Sequence, residues 1–492
     1  MGERRSVGAP RDVPARLREQ RRDATPDGVD PQPPVHPYIP NAAPPVRAEL
    51  LAAVGASDVD ELYADIPDRL RLKRPLALPE PLLSEPDLAR HMEEMLARNR
   101  TTDDCLSFLG AGCARHFVPA VCDEINARGE FLTSYSGHAY EEHGRFQALW
   151  EYQSMLAELL EMDAVNVPTY DGVQAAATGL RMATRLTGRH RVLLSAHLSA
   201  DSRSKIEDYL RADVGIAYVR HAQDGLLDLE DLERSLDGSV AALFLENPTY
   251  LGLIEPRGGE IARLVHAAGA LLAVGVDPIS LGVLRPPAAY GADIATGDIQ
   301  PLGVHLQFGG GLGGFVATSD DRRHVAEYPS RLYALAPTVA PGEYGFGEVL
   351  FEERTSFGRR EQGKEWAGTA AALWGITAGV YLALMGPRGM VEVGEGIMAR
   401  ARYAMDRLAD IPGVRLPYGS RHHFKEFVVE VGGTGRTVAE VNRALLERGI
   451  FGGKDLSAEF PELGQSALYC VTELHRQADL DRLAHALAGV LA

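Results

Sequence analysis

From about residue 100 onward, short apolar runs alternate with longer stretches of helical periodicity. The runs Val192–Ser195, Ile216–Val219, Ala241–Leu245 and Leu271–Val276 are apolar at nearly every position, so both faces of each strand are expected to be covered. Helical stretches lie between them, among them Ser204–Ala212 and Glu260–Ala268. This alternation predicts a parallel sheet packed between two helical layers. Two further strands are expected at Val304–Phe308 and Phe315–Thr318. An Ala-rich helix, Ala367–Leu384, then stops at Met385-Gly386-Pro387. Beyond it the pattern reads helix, strand (Phe427–Val431), helix, a Gly452-Gly453 turn, strand (Ser466–Val471) and a last helix, a small α+β domain.

The first part of the chain follows another rule. Residues 1–46 are rich in Arg and Pro and cannot assemble a core, so they read as a flexible arm. Helical periodicity begins near Arg47. Ser57 and Glu61 bracket one helix start, and Ser84-Glu-Pro-Asp-Leu supplies another, with Ser84 as cap, Pro86 in the first turn and Asp87 favoured by the helix dipole. The expected organisation is an arm (1–46), a helical region (47–100), a large domain (101–365), and a connecting helix with a small C-terminal domain (366–492).

Composition narrows the function. The 492 residues are 45% hydrophobic and 24% charged, as in soluble globular proteins. A net charge of −18 gives no global reason to bind nucleic acid or an anionic membrane. No apolar stretch approaches the ~20 residues of a membrane span, and the first thirty residues lack the apolar core of a secretory signal. Cys105, Cys113, Cys122 and Cys470 form no CxxC pair and read as reduced core thiols of a cytoplasmic protein. Among the 50 basic residues only five are lysines: Lys73, Lys205, Lys364, Lys425 and Lys454. A Schiff-base enzyme needs one lysine at one place, so this scarcity constrains the chemistry.

Four motifs have residues suited to chemistry. Gly309-Gly-Gly-Leu-Gly-Gly314 matches GxGxxG by letter, but a strand follows it where a dinucleotide site needs a helix, so a turn between strands, or a loop whose backbone approaches a ligand closely, is expected. His138-Ala-Tyr-Glu-Glu-His143 has the wrong spacing for a zincin, and no metal is expected there. That stretch is either a solvated loop or a substrate-facing one whose Tyr, His and Glu can move protons. Tyr170-Asp171-Gly172 opens a small-residue helix, where backbone N–H groups could hold a phosphate; a plain strand-to-helix turn is the alternative. Val276-Asp277-Pro278 puts a carboxylate at the end of a buried strand, where it must be paired or hydrogen-bonded. Pairing with a pyridinium nitrogen and capping the Pro278 turn are both open to it.

Taken together, Pro37-Tyr-Ile-Pro40, Glu61-Leu-Tyr-Ala-Asp-Ile-Pro67, Phe108-Leu-Gly-Ala-Gly112, Tyr170-Asp-Gly172, Asp277-Pro-Ile-Ser-Leu281, Tyr381-Leu-Ala-Leu-Met-Gly-Pro387 and Val471-Thr-Glu473 carry a resemblance from His36 to the C-terminus. The sequence resembles subunit 1 of the two-subunit glycine dehydrogenases (decarboxylating), the P-proteins of the glycine cleavage system. The resemblance implies a fold type I, pyridoxal-phosphate (PLP)-dependent transferase-like α/β architecture: a large αβα domain with a mainly parallel sheet plus a small C-terminal α+β domain. It implies a subunit 2 partner that carries the PLP lysine, an amino-acid substrate, and a lipoyl H-protein that receives the aminomethyl group. In such a fold the Schiff-base lysine follows the strand-end Asp, here within Gly297–Leu312. That window holds no lysine, so PLP is expected on the partner.

Two family segments are rewritten here, Tyr135–Gly144 and Gln362–Ala371. From them only Tyr135 and, around the second, Arg359, Arg360, Glu361 and Thr369 carry over from the family. The candidate catalytic residues are Tyr135, His138, His143 and Arg360, and the candidate cofactor contacts are Gly172 and Asp277. The rewritten loops suggest an altered amino-acid substrate or acceptor. A non-catalytic scaffold paralog and a self-sufficient enzyme using Lys364 are the competing readings.

Overall fold

The computed structural model describes residues 43–132, 143–365 and 371–492, apart from Pro75, Glu80, Pro81, Leu83, Gly310 and Thr355. Tyr135, His138, Thr369 and nearly all of the expected arm lie outside the described residues. The chain divides into two units, Met1–Leu96 and Ala97–Ala492. In the first, helix α1 (Pro44–Ala53) carries Pro44 and Pro45 in its first turn, and helix α2 (Glu85–Leu96) follows Ser84 with Glu85 and Asp87 in its first turn. Between them the Ser57–Glu61 pairing opens only a short 3-10 turn, Asp60–Tyr63.

In the second unit, Leu106–Ser107 forms a two-residue strand, β1. Helix α3 (His143–Leu160) leads to β2 (Ala164–Val165), α4 (Gly172–Thr187), β3 (Arg191–Ser195), α5 (Ala200–Leu210) and β4 (Gly215–Val219). Then come β5 (Val240–Glu246), α6 (Gly258–Ala267), β6 (Leu271–Val276), β7 (Ile294–Asp298) and β8 (Gly314–Thr318). They form one sheet in the order β2-β8-β7-β6-β5-β3-β4. Strands β3 to β7 run parallel, and β8 and β2 close one edge antiparallel.

The alternation of strand side chains sorts the residues cleanly. Leu193, Leu243, Leu245, Leu272, Val274 and Val276 face one core with Tyr152 and Leu156 of α3. Val192, Leu194, Ala242, Phe244, Ala273 and Ile294 face the other with Ala176, Leu180 and Ala183 of α4. Neither face is left to solvent, which is why these strands read as continuous apolar runs.

The strand expected at Val304–Phe308 is not there. Because β7 pairs directly with β8, the connection between them has no free sheet edge to join. Gln307 and Phe308 adopt left-handed backbone angles (φ 47° and 56°), and Phe308 is fully exposed. Gly309, Gly311 and Gly313 belong to the connection between β7 and β8.

Hairpin strands β9 (Tyr333–Pro337) and β10 (Tyr344–Glu348) follow. Helix α7 (Ala372–Ala409) is kinked at Gly386, at the expected stop. Its first part packs Ala378 and Tyr381 on the large core, and its second buries Ala401, Ala404 and Leu408 in the small domain. There β11 (Glu426–Glu430), α8 (Val438–Glu447), β12 (Ile450–Phe451), β13 (Lys454–Asp455), β14 (Ser466–Cys470) and α9 (Gln477–Leu491) form the α+β unit. The order β11-β14-β13 is antiparallel, and β12 pairs parallel with β1.

Candidate functional site

The sheet register assembles a set of polar groups. Glu246, Asp277 and Asp298 stand at the C-terminal ends of adjacent strands β5, β6 and β7, where ligand sites of open α/β sheets form. Period-two counting puts them on the α4 face, because Phe244, Ala273 and Ile294, two or four residues earlier, lie in that core. With Thr296, Gly172, Asp171 and Cys113 they line a cavity of about 290 Å³ beneath the N-terminus of α4. Lys205, Lys425 and Lys454, three of the five lysines, also line it.

A buried chain of charges crosses from the small domain into this cavity. Lys425 Nζ lies 2.5 Å from Asp277 Oδ2 and 3.3 Å from His116 Nε2. His116 Nδ1 lies 2.9 Å from Glu473 Oε2, whose other oxygen accepts the Phe117 N–H at 2.6 Å. An ammonium can only donate, so His116 Nε2 accepts and its Nδ1–H donates to Glu473. Burial pulls the Lys425 ammonium down, but the Asp277 carboxylate, with Cys470 and Glu426, outweighs it and leaves Lys425 above its usual range. A lysine at the start of a strand is ordinarily a solvated charge. The fold corrects that: the residue is buried, because its strand start abuts the strand-end Asp277. Asp277 Oδ1 caps the Pro278 turn through the Ile279 N–H, one of the two roles open to it in the sequence.

Glu473 supplies a test. Burial works to raise its carboxyl, yet the His116 imidazole and the Phe117 N–H hold it at about 2. A depressed carboxyl contributes stability above its unfolded value and loses it as pH falls through the folded one. Glu473→Gln is therefore expected to cost about 3 kcal/mol at neutral pH and much less near pH ~2. Urea unfolding of both proteins at the two pH values checks this; an equal deficit at both would refute the pairing.

The residues of this cavity do not fit PLP. The acid that would meet a pyridinium nitrogen is bound to Lys425. Two of the helix N–H groups that would hold its phosphate are taken by the chain's own carboxylates: Gly172 N–H donates to Asp298 Oδ2 at 3.0 Å and Gln174 N–H to Asp171 Oδ1 at 2.7 Å. Gly172 is needed for close approach instead, since a Cβ there would stand 2.9 Å from the Asp298 nitrogen. Gly172 is thus corrected from a phosphate contact to a packing position. No lysine lies in the 297–312 window.

The other candidates scatter. His143 opens α3. Arg360 is exposed in a short 3-10 turn and does not line the cavity. Lys364 is held by the Ala326 carbonyl and, at 3.2 Å, by Glu327. All four cysteines are free; Cys105, Cys122 and Cys470 are buried as expected, but Cys113 is half-buried on the cavity wall. Glu246, Asp298, His116 and Lys425 were missed by motif reading. Period-two counting from the apolar runs could have found the first two.

A second cavity of about 710 Å³ is lined by His197, His221, Arg203, Tyr418 and Phe460. Next to it, Ser195 Oγ lies 2.8 Å from His221 Nε2, and His221 Nδ1 lies 2.9 Å from the Gly225 carbonyl. The pair has the order of a hydrolase dyad, but Ser195 is only 2% exposed and does not line the cavity. It is a buried polar contact rather than a nucleophile.

Comparison with known proteins agrees with this architecture. The family model for the glycine cleavage system P-protein matches residues 36–487. A probable glycine dehydrogenase (decarboxylating) subunit 1 of Staphylothermus marinus is 38% identical over 466 residues, covering 93% of this chain and 98% of the relative. The protein of the same description from Carboxydothermus hydrogenoformans is 39% identical over 455 residues, covering 92% and 99%. The crystal structure of an inhibitor-bound glycine decarboxylase (P-protein) of the glycine cleavage system superposes with a TM-score of 0.81 at 35% identity, covering 94% of this chain and all of that one. A NifS-like protein matches at TM-score 0.59 and 12% identity, covering 79% and 99%, a likeness of fold alone.

Proposed function

The chain belongs to the glycine cleavage system P-protein family, and on that premise we propose that it acts as subunit 1 of a decarboxylating glycine dehydrogenase. In this reading it completes a PLP site whose lysine a subunit 2 partner supplies. The observation that carries it is the mismatch of this chain's own cavity with PLP: Asp277 is bound by Lys425, and the helix N–H groups are bound by Asp171 and Asp298. Decarboxylating an amino acid needs an electron sink that side chains do not supply, so a chain that cannot hold the cofactor needs a partner that does. Glycine or a related amino acid is the proposed substrate, and a lipoyl carrier protein the proposed acceptor. Tyr135, His138, His143 and Arg360 are proposed to face the substrate once the partner is in place. Among the described residues no helix is long and apolar enough to cross a membrane.

The test is co-expression with a candidate subunit 2. A stable complex is expected, with the visible absorption of lysine-bound PLP and release of labelled carbon dioxide from glycine. The chain alone should give no borohydride-trapped PLP adduct. An adduct mapped to Lys364 would instead establish the self-sufficient reading. No complex and no release from any amino acid would leave the scaffold reading.

A further inference from the structure

The cavity beneath α4 holds more acid than base. Four carboxyl groups line it at the ends of the strands: Glu246, Asp277, Asp298 and Glu426. The buried ammonium of Lys425 is spent on Asp277. The other two lysines are bound elsewhere, Lys205 to Asp171 at 3.1 Å and Lys454 to Glu459 at 2.8 Å. Glu426 accepts the Ala111 N–H at 2.6 Å, and Asp298 accepts the N–H groups of Gly172 and Gln300. Glu246 has no ion-pair partner among the described residues. Independently of these acids, Thr296 on the cavity wall is 1% exposed and its hydroxyl has no hydrogen-bond partner. An orphan hydroxyl at such burial is uncommon in native folds, and here it borders a cavity with room for a polar group.

We propose that this cavity binds a small ammonium-bearing molecule, a primary amine or amino acid, whose positive charge sits among Glu246, Asp298 and Thr296. An ammonium offers three donors and no acceptor, which suits two carboxyl groups and a hydroxyl. An anion is disfavoured, since the Gly172 and Gln174 N–H groups at the start of α4 are already committed and each lysine of the cavity is already paired. At about 290 Å³ the space lies at the low end of small-molecule sites, which selects a small ligand. Burial, with Glu426 beside it, pushes Glu246 up to about 8, and burial pushes Asp298 up to about 7. Cys113, Asp171, Asp201, Lys205, Tyr250, Asp277, Asp298, Lys425, Glu426 and Lys454 are the charged and titratable groups that share the cavity with Glu246, and burial, reinforced by Glu426, keeps it protonated there. An arriving ammonium stabilises the ionised form, so binding at neutral pH releases a proton. The site is built wholly from this chain and does not depend on a partner or on PLP.

Calorimetric titration of the full chain, free of PLP and partner, in two buffers of different ionisation heat tests this. Ethanolamine and glycine separate simple amines from amino acids, and acetate and magnesium serve as controls. Saturable binding of at least one of the two amino compounds is expected, with about one proton released per ligand. In Glu246→Gln, affinity should fall at least about tenfold and the proton release should drop to the smaller share that Asp298 contributes. Thr296→Val should weaken binding while keeping the proton release. Unchanged urea midpoints show that the variants fold. No binding of either amino compound, binding unaffected by Glu246→Gln, or binding of acetate or magnesium alone would overturn the proposal. Because the measurement needs neither partner nor decarboxylation, its failure is separable from failure of the proposed function.

Discussion

Replacing Lys425 by methionine is expected to destabilise the fold by about 3–5 kcal/mol. The ammonium is buried between Asp277 at 2.5 Å and His116 Nε2 at 3.3 Å. Removing it leaves a carboxylate enclosed without its counter-charge beside Glu426, which is also buried. The cost is that of stranding Asp277, not the net worth of the ion pair, and a second substitution separates the two. Lys425→Met combined with Asp277→Leu removes both charges and should recover most of the lost stability, short of the cap that Asp277 gives Ile279. Urea midpoints of the wild type, the two single variants and the double variant complete the cycle. A Lys425→Met deficit below about 1 kcal/mol would mean that the pair does not form as described.

Gly252→Ala should be as damaging, at about 3–5 kcal/mol, for a steric reason. Gly252 sits at φ 88°, a left-handed angle that alanine resists. Its missing Cβ would also overlap the Glu426 backbone carbonyl, which cannot swing away as a side chain could. The contact lies where the loop after β5 meets the first residue of β11, and the Phe424 N–H donates to the Gly252 carbonyl at 3.2 Å. Gly489→Ala is the control. It is helical with open space around its Cβ position, and should be neutral or stabilising by up to about 1 kcal/mol. Soluble yield and urea midpoints of the two variants give the comparison. Equal behaviour would show that the loop can retreat from β11.

The two predictions mark the limit of what sequence pattern can show. Leu271–Val276 was legible to the residue because a strand covered on both faces is apolar throughout, and Asp277 was conspicuous as the charge that ends it. The kink at Gly386-Pro387 was legible because backbone chemistry alone sets it. Val304–Phe308 misled because alternation says nothing about whether a sheet edge is free. Lys425 misled for a related reason. A lysine before a strand is usually solvated, and nothing local to it announces a carboxylate waiting at the end of β6. The proposed substrate-facing residues divide in the same way: Tyr135 and His138 fall outside the described residues, while Arg360 is exposed away from the cavity.

Sequence by itself determined the parallel sheet, the small α+β domain, the family resemblance and the absence of lysine from residues 297–312. Each depends on periodicity, composition or residue identity along the chain, which are local properties. Tertiary structure alone decided that three of the five lysines gather at one cavity, that Lys425 binds Asp277, and that Asp171 and Asp298 fill the helix N-terminus. Those are pairings between distant segments, and a charge acquires its role only when folding removes the water that would otherwise solvate it.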